Sequence, residues 1–73
     1  MNLNDIDKKA ILAYAASNMN ATDAANKLYV HRNTLIYRLN RLKQKTGLDP
    51  QCFYDLIKLV KLVEMASSNT QEN

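Results

Sequence analysis

The residues of this chain best suited to chemistry lie between positions 27 and 45, where six of its ten basic side chains occur. These six are Lys27, Arg32, Arg38, Arg41, Lys43 and Lys45. No carboxylate lies between Asp23 and Asp49, so the segment carries +6, whereas the rest of the chain carries four lysines and seven acids. A cluster of charges of one sign attracts ligands of the other sign. The segment therefore predicts a surface that binds an anionic partner.

Catalysis and metal binding lack the residues that they need. The chain has one histidine, His31, and one cysteine, Cys52, which cannot supply a clustered metal site. Its single glycine, Gly47, cannot form a glycine-rich phosphate loop. The basic segment also contains no acid that could act as a catalytic partner. We therefore expect no enzymatic activity and no cofactor.

Length and composition predict one small folded domain, because the 73 residues are 47% hydrophobic with one glycine and one proline. We expect this domain over residues 1–66 and a disordered tail over residues 67–73. A lone cysteine excludes an internal disulfide and favours a reducing compartment, which makes the cytoplasm the expected location. No apolar run approaches the roughly 18 residues of a membrane span, and no signal peptide is recognisable.

Apolar spacing predicts an all-α domain of four helices. The predicted helices cover about 5–17, 21–28, 32–45 and 50–66. Asn4 or Asp5 is expected to cap the first helix, and Asn20 followed by Asp23 resembles a capping box for the second. The segment between the second and third helices has room only for a sharp turn. Two helices joined in this way predict a helix-turn-helix.

The third predicted helix has one apolar stripe, made of Leu35, Leu39 and Leu42. At about 100° per residue, a mostly polar set lies on the opposite side of the helix. That set is Asn33, Tyr37, Asn40, Arg41 and Gln44, with Thr34 and Lys45 beside it. The outer face of this helix should therefore present amides, a phenol and cations to a ligand.

The fourth predicted helix has more apolar residues than a small domain can cover. Asp49 is expected to be its cap, with Pro50 at the first helical position. The expected buried stripe is Phe53, Leu56, Ile57, Val60 and Val63. Outside that stripe, Leu59, Leu62 and Met65 predict a surface that contacts a partner, such as a second copy of the chain in a two-fold dimer.

The chain also resembles a known family in several short strings of residues. They are Asn20 through Leu28, Val30-His31-Arg32-Asn33-Thr34-Leu35, Tyr37-Arg38-Leu39 and Thr46-Gly47-Leu48-Asp49. Over about residues 6–65 the sequence resembles the C-terminal helix-turn-helix domain of PucR/CdaR-type bacterial transcription regulators, and it is similar to the DNA-binding part of Fis. In that family the domain ends a longer chain whose upstream part senses small metabolites. The resemblance adds an upstream sensor domain to the possible partners of Leu59, Leu62 and Met65.

The resemblance implies that the third helix enters the major groove of double-stranded DNA. Helix-turn-helix proteins contact base edges near the start of this helix, where Arg32 could bond guanine and Asn33 could bond adenine. The whole implied DNA-binding set is Thr22, His31, Arg32, Asn33, Thr34, Tyr37, Arg38, Arg41 and Lys43.

Other members of that set are expected to contact phosphate or to shape the turn. Thr34 and Tyr37 could reach a thymine methyl group or a phosphate. The expected phosphate ligands are Arg38, Arg41, Lys43 and the start of the second helix at Thr22. His31 is expected to cap a helix or to shape the turn. Helix-turn-helix turns often carry glycine where this chain has Tyr29, and tyrosine is unfavourable in a left-handed conformation.

Plainer interpretations of the same residues remain open. Arg41, Lys43 and Lys45 could each be solvated on an exposed helix, and Tyr37 could pack half-buried against a neighbour. The competing function is a helical protein-interaction module that binds an acidic partner through the basic helix. Such a surface would favour lysine over the amides present here, and RNA binding would favour a pair of stacking aromatic residues. The sequence therefore favours sequence-specific binding of duplex DNA by a bacterial transcriptional regulator.

Overall fold

The computed structural model of the chain describes residues 3–68 and consists, over those residues, of α-helices joined by short connections. The helices are α1 (Asp5–Ala16), α2 (Ala21–Lys27), α3 (Arg32–Thr46) and α4 (Phe53–Ser68). The predicted all-α class is therefore confirmed. Helix α4 continues two residues into the segment predicted as a tail, and residues 69–73 of that segment lie outside the described residues.

The first two helices begin at the predicted caps. Asn4 Oδ1 accepts a hydrogen bond from the Asp7 N–H at 2.8 Å, and Asp7 Oδ2 accepts one from the Asn4 N–H at 3.2 Å. This reciprocal pair is a capping box, which satisfies two backbone donors at the end of α1. At the start of α2, Asn20 Oδ1 accepts from the Asp23 N–H at 3.0 Å. Both helix starts follow from local side-chain chemistry that the sequence displays.

Helix α1 lies at the centre of the domain. Among the described residues, Cα approaches within 8 Å link α1 to each other helix and α2 to α3, whereas α4 makes such approaches to α1 alone. Ala24 and Ala25 of α2 are buried, and their small side chains permit the close approach of neighbouring helices. The largest fully buried side chains of the helices are Ile11, Leu35, Leu39, Leu42 and Leu59. The leucine stripe predicted for α3 is therefore confirmed as core.

Helix α4 starts three residues later than the sequence predicted, at Phe53. Asp49 Oδ1 accepts from the Gln51 N–H at 2.9 Å, and the Asp49 carbonyl accepts from the Cys52 N–H at 2.9 Å. Asp49 and Pro50 thus form a tight turn, and the proline ring is buried. An aspartate followed by proline signals such a turn as readily as a helix start. The prediction of a cap at Asp49 for α4 was wrong for this reason.

The buried side of α4 also differs from the predicted stripe. Leu56, Leu59 and Val63 are buried, whereas Phe53 and Ile57 are exposed. Apolar residues occur around most of the circumference of α4, so periodicity could not select the side that packs on α1. The prediction that Leu59 contacts a partner was wrong, because its side chain is fully buried in the core of the domain.

Helix ends in this domain are closed by residues with positive φ. These residues are Asn18 (φ 55°) and Met19 (φ 65°) after α1, Tyr29 (φ 58°) after α2 and Gly47 (φ 78°) after α3. Asparagine and glycine tolerate this region, whereas a bulky L-residue there costs roughly 1–2 kcal/mol. The turn of the helix-turn-helix therefore does adopt the left-handed conformation at Tyr29.

Candidate nucleic-acid interface

Helix α3 begins at the predicted residue because His31 caps it. The backbone of His31 is extended, and its Nδ1 accepts a hydrogen bond from the Asn33 N–H at 3.0 Å. A neutral imidazole that accepts at Nδ1 carries its proton on Nε2. The predicted capping role of His31 is confirmed, and its exposed ring retains one N–H donor for a ligand.

The outer side of α3 presents most of the predicted site residues together. Asn33, Tyr37, Asn40, Arg41 and Gln44 are exposed on the side opposite the leucine stripe, and Arg32 is exposed in the first turn of the helix. Thr34 and Arg38 are half-buried at its edge. Thr22 is exposed in the first turn of α2, next to the carboxylate of Asp23. We call the exposed part of α3 between Arg32 and Arg41 the recognition face.

The cations at the C-terminal end of α3 are held by acids from outside the basic segment. Lys45 Nζ lies 2.5 Å from Asp7 Oδ2, and Asp7 is only 3% exposed. Lys43 Nζ lies 3.8 Å from Asp49 Oδ2, in a pair that is open to solvent. The sequence placed Lys45 beside the outer face of α3 and Lys43 among the phosphate ligands. The structure instead turns both ammonium groups towards the rest of the domain.

The remaining cations of the segment are available to a ligand. Over residues 3–68, Lys27, Arg32, Arg38 and Arg41 make no ion pair. All four lie between the end of α2 and the third turn of α3. The unpaired positive charge is therefore concentrated at the turn and along the recognition face, and not over the whole of α3.

Tyr14 is a titratable group buried in the core of the domain. Burial in the core raises the pKa of its phenol above the ordinary value of 10.0, and the negative charge of Asp49 raises it further. The phenol is therefore neutral at physiological pH, and it belongs to the core behind α3 rather than to the recognition face.

A second surface lies along α4, away from the recognition face. An apolar groove of about 510 Å³ runs between the end of α1 and α4, and it is bordered by Met19, Phe53 and Ile57. Of the residues predicted to contact a partner, Leu62 is half-buried and Met65 is 63% exposed. A second copy or an upstream sensor domain as the occupant of this side stays a prediction.

No group of three or more His, Cys, Asp or Glu side chains in the described part of the chain could hold a metal ion. None of its helices combines the length and the apolar character that crossing a bilayer requires.

A family model of the PucR C-terminal helix-turn-helix domain matches residues 9–61, which include all of α2 and α3. The chain belongs to this family. The resemblance drawn from the sequence is thereby confirmed. PucR-type helix-turn-helix domains belong to transcription regulators, so membership points to DNA-binding regulation and to a role other than catalysis.

Three curated proteins are similar to parts of the chain. The chain is 34% identical over 65 residues to the carbohydrate diacid regulator of Escherichia coli (strain K12). The aligned region covers 89% of this chain and 17% of that protein. It is 49% identical over 45 residues to an uncharacterized protein of Haemophilus influenzae, covering 62% of this chain and 12% of that protein. It is 38% identical over 42 residues to the uncharacterized protein YxkF of Bacillus subtilis, covering 58% and 14% respectively.

The PucR-family domain thus spans less than a fifth of the length of these curated relatives. No solved structure gives a significant match to the chain.

Proposed function

We propose that this domain binds double-stranded DNA sequence-specifically as part of a bacterial transcriptional regulator, with α3 in the major groove. The observation that carries the proposal is the recognition face, where exposed amides and the unpaired Arg41 share one side of α3 and the unpaired Arg32 is exposed in its first turn. Arginine and asparagine each present the paired groups that read guanine and adenine in the major groove. Membership in the PucR family supports the same function.

Individual roles follow from exposure and charge. Arg32 and Asn33, in the first turn of α3, are proposed to read base edges. Thr34, in the same turn, and Tyr37, one turn along, are proposed to contact a thymine methyl group or a phosphate. His31 offers its Nε2–H to the DNA while Nδ1 caps the helix.

Phosphate binding is assigned to unpaired cations of α2 and α3. Arg38 and Arg41 are proposed as phosphate ligands, joined by Lys27 and by Thr22 on α2. Lys43 is the weakest member of the set predicted from the sequence, because Asp49 partly neutralises it. The exposed Lys43–Asp49 pair is worth at most about 1 kcal/mol.

The proposal is tested by titrating a labelled random-sequence duplex with the chain at several salt concentrations. The logarithm of the binding constant should fall against the logarithm of the salt concentration by about 0.9 for each phosphate neutralised, or by roughly 3 in all for the three cations assigned to phosphate. A salt-independent binding constant, or no binding at all, would refute DNA binding through this face.

Sequence reading is tested on the site that the chain selects from a random DNA library. Arg32→Ala and Asn33→Ala should each reduce discrimination between that site and random DNA by roughly 1–3 kcal/mol. Gln44→Ala, on the same side but three turns into α3, is the matched control and should leave discrimination unchanged. Binding to an acidic polypeptide that is insensitive to Asn33→Ala would favour the protein-interaction module instead.

A further inference from the structure

Tyr29 occupies the position of the helix-turn-helix turn that often carries glycine. The Val30 N–H donates to the Ala25 carbonyl at 3.0 Å, and the Tyr29 N–H donates to the Asn26 carbonyl at 3.2 Å. These two bonds form a Schellman motif, in which the residue after the helix cap is left-handed and is usually glycine or asparagine. The turn therefore imposes a positive φ on a residue type that adopts it at a cost.

The fold does not recover this cost through the side chain. Tyr29 is 95% exposed, and over residues 3–68 it makes no side-chain hydrogen bond or ring contact. Met19, which also has a positive φ, differs in this respect because its side chain packs against the core. A strained residue with no compensating contact inside the domain indicates a function outside it.

The position of Tyr29 relates that function to the recognition face. It lies two residues before His31, the cap of α3, and between the unpaired cations Lys27 and Arg32. A phenol is a neutral hydrogen-bond donor, and tyrosine hydroxyls are among the groups that bind DNA phosphate oxygens.

We infer that Tyr29 is a DNA-positioning residue whose hydroxyl donates a hydrogen bond to a backbone phosphate at the edge of the major groove. The inference rests on the proposed function and adds to it a contact that carries no charge. Because the contact neutralises no phosphate, it should contribute to affinity without contributing to the salt dependence of binding.

The test compares Tyr29→Phe and Tyr29→Gly with the unaltered chain on a random-sequence duplex at several salt concentrations. Tyr29→Phe should raise the Kd about tenfold at every salt concentration and leave the salt slope unchanged. Tyr29→Gly should weaken binding at least as much, and it should raise the Tm by several degrees because the backbone strain is relieved. Tyr54→Phe, which alters a 73% exposed tyrosine on α4, is the matched control and should bind as the unaltered chain does.

Two results would overturn the inference while leaving DNA binding intact. The first is equal affinity of the unaltered chain and both Tyr29 variants. The second is a lower Tm for Tyr29→Gly, which would show that the side chain serves the fold. Absence of duplex binding by the unaltered chain would instead remove the proposed function together with this contact.

Discussion

Between Arg32 and Arg41 the cations of α3 are unpaired within the described part of the chain, whereas Lys43 and Lys45 are paired with Asp49 and Asp7. Helix α3 thus carries both unpaired cations and cations held in ion pairs. The charge near its N-terminal end is available to a ligand, and the charge at its C-terminal end ties α3 to α1 and to the turn before α4. Residue type and helix position alone do not reveal which kind a given lysine or arginine belongs to.

The largest expected difference between the two ends is in stability. Lys45→Met should lower the free energy of unfolding by about 2–3 kcal/mol, because it leaves the Asp7 carboxylate buried without a cation. Arg41→Met, the matched change at an unpaired exposed cation, should stay within about 0.5 kcal/mol. Urea denaturation measures both. If the two variants lost similar amounts of unfolding free energy, the two ends of α3 would not differ in their contribution to stability.

DNA binding should show the reverse order. Arg41→Met should weaken binding to a random duplex several-fold and reduce the salt slope by about 0.9, which corresponds to one lost phosphate contact. Lys45→Met, studied at a temperature where it is folded, should retain the slope. The salt slope of Lys43→Met shows to which end of α3 Lys43 belongs. If this variant reduced the salt slope as much as Arg41→Met does, Lys43 would belong to the recognition face.

The cap at the N-terminal end is expected to have a smaller effect on stability. His31→Ala removes the acceptor for the Asn33 N–H and should cost about 1 kcal/mol of unfolding free energy. His31→Asn supplies another acceptor at the cap and should recover most of that loss. Thermal unfolding of the three chains provides the comparison. If asparagine recovered nothing, the hydrogen bond at Nδ1 would not be the source of the stability.

The smallest expected effect is a pH dependence of the free energy of unfolding, caused by Tyr14 in the core. The pKa of Tyr14 is raised by burial and by Asp49, so the folded state holds the phenol proton more tightly than the unfolded state. The resulting stability is complete below pH 10 and is lost as the pH rises through the raised pKa. Tyr14→Phe should therefore lose less unfolding free energy between neutral and strongly alkaline pH. Lysine titration is common to both chains, and parallel pH profiles would exclude this contribution.

Structural features that depend only on residues close together in the sequence were predictable. Asn4, Asn20 and His31 cap α1, α2 and α3 because a cap needs only a side-chain acceptor and the backbone N–H groups of the next turn. The leucine stripe of α3 was equally clear, since its other sides are polar. Three of the exposed site residues followed directly from that stripe, namely Asn33, Tyr37 and Arg41.

Features determined by tertiary packing were not predictable in the same way. Asp7 and Lys45 are 38 positions apart, and no local pattern indicates that they meet. Leu59 could not be assigned to the core because α4 is apolar around much of its circumference, and only the docking of α4 on α1 selects the buried side. The strain at Tyr29 was foreseeable from its position in the turn, whereas its exposure required the structure.

The central position of α1 has a consequence for how this domain opens. Since close backbone approaches link α4 to α1 alone, a separation of α4 breaks one helix–helix interface and leaves those among α1, α2 and α3 in place. Helix α4 is therefore expected to be a separate cooperative unit, whose amides exchange with solvent through a partial opening of lower free energy than global unfolding. The buried contacts of residues such as Leu56 and Val63 then set the free energy of that opening, while α2 and α3 stay packed together throughout it.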